Sequence, residues 1–140
     1  MVAVAKEVGV HRYRESYGRY FEDFTEGDTY EHRPGRTISE ADNTWFTLLT
    51  MNQHPLHFDA AYASKSEFGR LVVNSCLTLS IVAGMSVSDI SQKAIGNLGW
   101  NDIQIAPVFV GDTIYHQYAA LIGHEHGAVG FLARLRPQIQ

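Results

Sequence analysis

The sequence predicts an α+β domain in which an antiparallel β-sheet wraps around one long helix. The first observation is the segment 71–91, LVVNSCLTLSIVAGMSVSDIS, which is apolar nearly all round from Ser75 to about Ser91. A helix of this composition is buried on most sides. The second observation is that the remaining C-terminal half is rich in aromatic and branched residues. A curved antiparallel sheet is the simplest structure that buries such a helix.

The expected strands lie on both sides of this helix in the sequence. Before it, two short extended stretches, 29–32 and 36–38, flank a turn expected at Pro34-Gly35. After it come three β-like segments separated by Gly, Pro and Asp: NLGWNDIQI, DTIYHQYAALI and GAVGFLARLRP. The pattern predicts that these segments form the sheet.

The chain is expected to hold an N-terminal arm, residues 1–18, and one domain, residues 19–140. Its 140 residues and 45% apolar content suit a single core. A net charge of -4 argues against nucleic-acid binding. The single cysteine and the lack of a leader or a membrane-spanning pattern favour a cytoplasmic protein without a membrane anchor.

A shorter helix is predicted before the central one. Ser39 is a good N-cap, and the sequence predicts a helix from about Glu40 to Thr50. Trp45, Leu48 and Leu49 recur along it at helical spacing. The polar stretch MNQHPLHFD follows directly, and DAAYASKSEFG is expected to form a second short helix that Gly69 closes.

These segments together resemble the MaoC-like dehydratases, a family that includes the (R)-specific enoyl-CoA hydratases. The family signature, Asp-x-Asn-Pro-x-His-x-Asp, corresponds here to NQHPLHFD, from Asn52 to Asp59. Other stretches look most like the mesaconyl-CoA hydratase (β-methylmalyl-CoA dehydratase) branch: GRTISEADNTWFTLLT, GMSVSDISQKAIGNLGW and PVFVGDTIY. The resemblance runs from about Tyr20 to Tyr115. It implies the hot-dog fold, an antiparallel sheet around a long central helix.

The resemblance also implies a reaction, the reversible addition of water to an α,β-unsaturated acyl thioester. Such a reaction needs a base for water, an acid for the α-carbon and a donor for the enolate oxygen. His57 occupies the family's histidine position and is expected to transfer the proton. A backbone N–H at the start of the central helix, at Ser75, is expected to bind the thioester oxygen.

Asn52 stands where the family has an aspartate, and it leaves three alternatives open. An amide can orient a water molecule but cannot accept its proton, so the first alternative is that His57 carries all of the proton transfer. The second is that a nearby carboxylate, Asp59 or Asp42, substitutes for the missing acid, and the third is that the site is silent. Asp59 is also suited to capping the helix that follows it, and Asp42 to the first turn of its own helix.

Three further polar residues near the central helix are candidates for the oxyanion or substrate site. Ser75 replaces the glycine that the family usually has there. Asn74 is better suited to capping the helix than to catalysis. Ser80 lies where it can reach toward Asn52, although small polar residues on packed helices are commonly structural. Cys76 is expected to be a small buried residue rather than a reactive thiol.

The sequence predicts neither a metal nor an organic cofactor. His124 and His126 flank Glu125 in GHEHG, but the glycines on either side indicate a hairpin turn rather than a metal site. Nucleotide-binding glycine motifs are absent. The expected partners are an acyl-CoA or acyl carrier protein thioester and further copies of the chain, as a homodimer or a larger assembly of dimers.

Two other functions compete with hydration. One is thioester hydrolysis on the same fold, against which the HPLHFD block argues because hot-dog thioesterases usually lack it. The other is a non-catalytic, acyl-binding or stabilising subunit whose sister chain supplies the missing aspartate. Fold resemblance alone does not separate these functions.

Overall fold

A computed structural model describes the backbone of residues 4–97, 99–123 and 128–137 and the side chains of residues 5–97 and 99–120. The chain forms two compact units. The first takes in the residues up to 34 together with 84–99 and 116–135. The second takes in 35–83, 100–115 and the residues from 136 onwards.

Helix α1 of the second unit, Glu40–Leu49, confirms the predicted helix. The Ser39 hydroxyl accepts a bond from the Asp42 N–H, and the Asp42 carboxylate accepts one from the Ser39 N–H, which completes a capping box. At its other end the N–H groups of Met51 and Asn52 bond to carbonyls of the last turn, in the pattern of a Schellman motif. Met51 takes the left-handed conformation that this motif requires, with φ 59°.

The buried face of α1 is polar. Asn43 and Thr47 are completely buried, whereas Trp45 is 75% exposed and Leu48 and Leu49 are exposed. The apolar residues that repeat at helical spacing therefore lie on the outer face of this chain. Periodicity identifies an apolar stripe but not what covers it, so the inner role of Asn43 and Thr47 is not visible in the pattern.

Two further helices follow α1 in the sequence. Helix α2, Ala60–Ala63, is much shorter than DAAYASKSEFG suggested, and the chain then continues through turns to Gly69, which has a φ of 66°. Helix α3, Ser75–Ser86, begins where the sequence predicted, and the helical path continues as a π-helical turn over Val87–Ser91.

Burial along the helical path that starts at Ser75 is one-sided. Leu77, Thr78, Val82, Ser86 and Ile90 are buried. On the other side small residues and one valine are exposed: Cys76, Ser80, Gly84 and Val87. Burial on most sides was expected, and within the single chain it is not observed.

Three strands form one sheet in the order β3-β4-β5: β3 (Thr29–Thr37), β4 (Thr113–Gly123) and β5 (Ala128–Pro137). Backbone bonds join Asp28 with Ala120 and Ile38 with Asp112, so β3 and β4 are antiparallel. The strands predicted from DTIYHQYAALI and GAVGFLARLRP are confirmed.

The turn predicted at Pro34-Gly35 is wrong, because both residues lie inside strand β3. Proline is tolerated here since β3 is an edge strand of its sheet. Glycine is needed because side chains of β4 cross its backbone closely. A methyl group on Gly35 would come within 2.6 Å of a Tyr115 ring carbon.

The strand predicted over residues 97–105 is also wrong, because the described part of this segment contains no regular strand. Asp102 has a φ of 51°, which interrupts an extended chain, and most of the side chains here are exposed.

In the described chain, no helix combines the length and apolar character that a membrane crossing requires.

The first unit has a small aromatic core and a hairpin. Phe24, Ile90 and Tyr118 form the buried cluster, with Tyr30 packed against it. Residues predicted as an arm form strands β1 (Val4–Gly9) and β2 (Arg12–Ser16), an antiparallel pair in a sheet of two strands.

Candidate active site

The stretch MNQHPLHFD connects α1 to α2 within the second unit. A single 3₁₀ turn, Pro55–His57, occupies its middle, and the His54 side chain accepts a bond from the Leu56 N–H at 3.2 Å. The Leu56 carbonyl in turn accepts a bond from the Val72 N–H at 3.2 Å. This turn therefore lies against the backbone that leads into α3.

His57 is held by its ring as well as by its backbone. Its Nδ1 atom lies 2.9 Å from the Val72 carbonyl oxygen. A carbonyl oxygen only accepts hydrogen bonds, so Nδ1 must carry the proton. In the neutral ring Nε2 then has the lone pair. Among the described residues Nε2 has no hydrogen-bond partner, and His57 is only partly buried. This is the tautomer in which Nε2 can act as a general base.

Asn52 is used in part by the loop itself. Its Oδ1 atom accepts a bond from the His54 N–H at 2.9 Å, which makes it the first residue of an Asx turn. Its Nδ2 atom has no partner among the described residues, and Oδ1 keeps a second lone pair. The amide can still meet a water molecule, but it also shapes the loop.

The two carboxylates considered as substitutes for the missing acid have structural partners. Asp59 caps α2 by accepting a bond from the Tyr62 N–H at 3.0 Å, which confirms the capping interpretation. Asp42 accepts bonds from the backbone and hydroxyl of Ser39 and pairs with Arg36 at 2.8 Å. The Ser39 bonds, with Arg36, lower the pKa of Asp42. A carboxylate held in its ionised form is a weaker base.

The start of α3 offers a backbone donor. Asn74 caps the helix, since its Oδ1 accepts a bond from the Cys76 N–H at 3.0 Å. The N–H of Ser75, the first residue of α3, has no acceptor among the described residues, and Ser75 is exposed. An unsatisfied N–H at a helix N-terminus can bind a developing oxyanion.

The remaining candidates from the sequence are Ser80, Cys76 and the histidines near the C-terminus. Ser80 donates its hydroxyl proton to the Cys76 carbonyl within α3, at 2.8 Å, as structural serines in helices commonly do. Cys76 was predicted to be buried, and this is wrong: the thiol is exposed, because its side of the helix has no cover in the single chain. His124, Glu125 and His126 lie outside the described residues.

Asn43 is the residue of this site that sequence analysis missed. Its amide bonds to the backbone of His57, Val72 and Asn74, and it is completely buried. Thr47, one turn further along α1, accepts a bond from the Asn74 amide at 3.3 Å. The available signal was an amide and a hydroxyl four residues apart on one helix face.

The family follows from a comparison of the whole chain with known families. A model of the MaoC like domain matches residues 23–123, a span that contains Asn52, His57 and Ser75. The chain belongs to the MaoC-like family. This MaoC-like domain is 38% identical over 98 residues to the β-methylmalyl-CoA dehydratase of Chloroflexus aurantiacus. It is 30% identical over 82 residues to the (R)-specific enoyl-CoA hydratase of Aeromonas caviae.

The match covers different shares of these two relatives. The match covers 69% of this chain but 28% of the dehydratase from Chloroflexus, and 59% of this chain and 61% of the hydratase from Aeromonas. The chain therefore spans less than a third of the dehydratase's length.

A solved structure agrees with the sequence match. The monoamine oxidase regulatory protein of an Archaeoglobus species is 30% identical, with a TM-score of 0.74 over 86% of this chain and 85% of its own. Solved MaoC and (R)-hydratase structures of this kind are hot-dog folds, and the mixture of helices with antiparallel sheets in this chain agrees with them.

Proposed function

We propose that this chain is a hydratase/dehydratase that reversibly adds water to an α,β-unsaturated acyl-CoA thioester. One observation carries the proposal. The Val72 carbonyl holds the proton of His57 on Nδ1, which leaves Nε2 free to act as a base. Val72 itself lies three residues before Ser75, the first residue of α3, whose N–H is the oxyanion donor. A base and an oxyanion donor are the two groups that this reaction needs most.

In the proposed reaction His57 both takes and returns the proton. Nε2 accepts a proton from water as the water oxygen bonds to the β-carbon of the substrate. The electron pair of the double bond moves toward the thioester, and its oxygen accepts a bond from the Ser75 N–H. The imidazolium then gives its proton to the α-carbon, which completes the addition of one water molecule. Asn52 orients the water through the groups that its Asx turn leaves free.

The names of the relatives suggest the substrate class. One is a β-methylmalyl-CoA dehydratase, and another, from Cereibacter sphaeroides and 33% identical over 98 residues, is a mesaconyl-CoA hydratase. A branched dicarboxylic enoyl-CoA is therefore the first candidate. An open cleft of about 320 Å³ in the second unit has both Arg70 and Glu40 beside apolar residues in its wall, and its lining does not include His57 or Ser75.

The proposal includes a dimer of this chain and the apolar surfaces that the dimer would cover. Helix α3 is proposed as the central helix of a hot-dog sheet, and two copies are proposed to cover apolar surface that one copy leaves open. The outer face of α1, with Trp45, Leu48 and Leu49, is such a surface. Light scattering at micromolar concentration should give a dimer or a multiple of dimers, in keeping with a cytoplasmic acyl-CoA enzyme. A monomer would contradict the assembly.

The function is tested by assaying the purified chain with crotonyl-CoA and mesaconyl-CoA. Loss of the conjugated enoyl absorbance, with the hydroxyacyl-CoA identified by mass spectrometry, is the expected result. Release of free CoA thiol without hydration would indicate a thioesterase. Inactivity of the chain alone, followed by activity when a sister subunit is added, would favour the non-catalytic subunit, which the amide at Asn52 makes the second candidate.

A further inference from the structure

Asn43 directs both amide N–H groups and its carbonyl oxygen at the backbone around His57. Its Nδ2 group donates to the His57 carbonyl at 2.7 Å and to the Val72 carbonyl at 3.2 Å. Its Oδ1 atom accepts from the Asn74 N–H at 2.9 Å. Because the partners are backbone carbonyls and an N–H, the orientation of the amide is fixed by chemistry.

The Val72 carbonyl is where this amide meets the histidine ring. It accepts a bond from Asn43 Nδ2 at 3.2 Å and lies 2.9 Å from His57 Nδ1. One side chain thus ties together the backbone of His57 and the carbonyl that holds its ring proton. Through Asn74 the same side chain also reaches the residue that caps α3.

We propose that Asn43 is a positioning residue that fixes the orientation and the tautomer of His57, and with them the direction of its Nε2 lone pair. This inference rests on the proposed function and assigns a second residue to that site. Asn43 itself does not reach the substrate, because it is completely buried. It acts by fixing where the Val72 carbonyl and the His57 backbone lie.

The charge and shape of the side chain explain why an amide serves here. Two of its partners are acceptors and one is a donor, so a carboxylate of the same shape would face two carbonyl oxygens with no proton to give. An apolar side chain would leave the two carbonyls and one N–H short of partners. Either change should release the loop that carries His57.

The test uses Asn43→Leu and Asn43→Asp, with two controls. Thr47→Val removes the neighbouring buried bond on the same face of α1 without touching His57 or Val72. Ile90→Ala weakens the aromatic core of the first unit. The two controls separate loss of positioning from loss of stability. Each variant is compared by kcat, KM and melting temperature, and by ¹⁵N chemical shifts of the His57 imidazole.

In the wild type the ¹⁵N shifts should show the Nδ1–H tautomer of His57. In both Asn43 variants we expect a mixture of tautomers, and kcat about 10- to 100-fold lower with KM changed less than 3-fold, the scale of a misplaced catalytic group. Neither control should change the tautomer. If Asn43→Leu does not fold, Asn43→Ser, which keeps one donor, should give an intermediate tautomer ratio.

An unchanged tautomer in the Asn43 variants, with a fall in kcat no larger than that of Ile90→Ala at equal loss of melting temperature, would overturn the inference. The imidazole shifts are measured without substrate. They therefore test the inference even if the chain proves to have no hydratase activity, so its failure and that of the proposed function are distinguishable.

Discussion

The Nδ1 atom of His57 lies 2.9 Å from the carbonyl oxygen of Val72. This contact joins the loop that carries the histidine to the backbone that leads into α3. It decides which ring nitrogen bears the proton, because the carbonyl accepts but cannot donate. The base and the helix N-terminus of the site are therefore fixed to each other through one short stretch of backbone, Val72 to Ser75.

Replacement of His57 should separate its structural bond from its chemistry. In His57→Ala both are lost, and kcat should fall about 100-fold or more. In His57→Asn the side-chain amide can still donate to Val72 but has no second nitrogen base, so kcat should fall as far while the melting temperature stays closer to the wild type. Steady-state kinetics and thermal melts measure both. Full activity in His57→Asn would remove His57 as the base.

Asn52 tests whether the site works with an amide. Asn52→Asp keeps an oxygen for the His54 N–H, so the loop should retain its shape, and it adds the carboxylate of the family signature. If a missing acid limits the rate, kcat should rise. If the site is adapted to an amide, kcat should be equal or lower, which is the result we expect from a working His57.

Asn52→Ala is the matched comparison, since it removes both the water contact and the Asx turn. Its loss of kcat should be smaller than that of His57→Ala, because the base remains. A loss as large as that of His57→Ala would show that Asn52 takes part in proton transfer or that the loop has collapsed. Its melting temperature, compared with that of the wild type, decides between these two.

Cys76 should be replaceable. It is exposed, so Cys76→Ala should change the free energy of unfolding by no more than about 0.5 kcal/mol and leave kcat within a factor of two. Urea unfolding and the enoyl-CoA assay measure these quantities. A large loss of turnover in a stable variant would indicate that the thiol takes part in the reaction.

Local signals predicted much of the backbone that holds the site. Ser39 marked the start of α1, and Ser75 the start of α3, because caps and helix ends depend on neighbouring residues. The turn predicted at the proline and glycine of β3 is wrong, because the roles of these residues depend on the edge position of the strand and on a tyrosine about 80 residues away. Asn43 was missed for the same reason, since its partners lie 14 to 31 residues along the chain.

Met51 gives a test of the backbone just before the site. A non-glycine residue in the left-handed conformation costs about 1 kcal/mol, and Met51 has a φ of 59° and is 82% exposed. Met51→Gly should therefore raise the free energy of unfolding by about 0.5 to 1 kcal/mol. Leu49→Gly, two residues earlier within α1, should lower it by a similar amount. Destabilisation by both would show that the Met51 side chain contributes contacts that outweigh its strain.

The first unit contains a pair of buried histidines that should make its stability depend on pH. The rings of His32 and His116 stack with centroids 5.1 Å apart, and the ring of Tyr118 is perpendicular to that of His116, with centroids 3.9 Å apart. His116 is 1% exposed, and neither of its ring nitrogens has a hydrogen-bond partner among the described residues. Burial, with His32 nearby, lowers the pKa of His116 to about 4.

Burial also lowers the pKa of His32, and the Asp89 carboxylate, 3.4 Å from its Nε2, opposes that shift. Arg19 and Arg33 add to the shift. Tyr118 also contacts both rings, and protonation of the pair is opposed mainly by burial.

The sign of the pH dependence follows from proton binding. Between pH 6.5 and 4 an unfolded histidine carries a proton that the folded His116 does not. The contribution of His116 to the free energy of unfolding is therefore fully present above pH 6.5 and is lost as the pH falls toward 4. The free energy of unfolding from urea titrations should be about 2 kcal/mol lower at pH 5 than at pH 7 from His116 alone. His116→Leu should remove most of this difference, whereas His11→Gln, on the exposed hairpin, should leave it intact. An equal slope in wild type and His116→Leu would show that the pair does not titrate on unfolding.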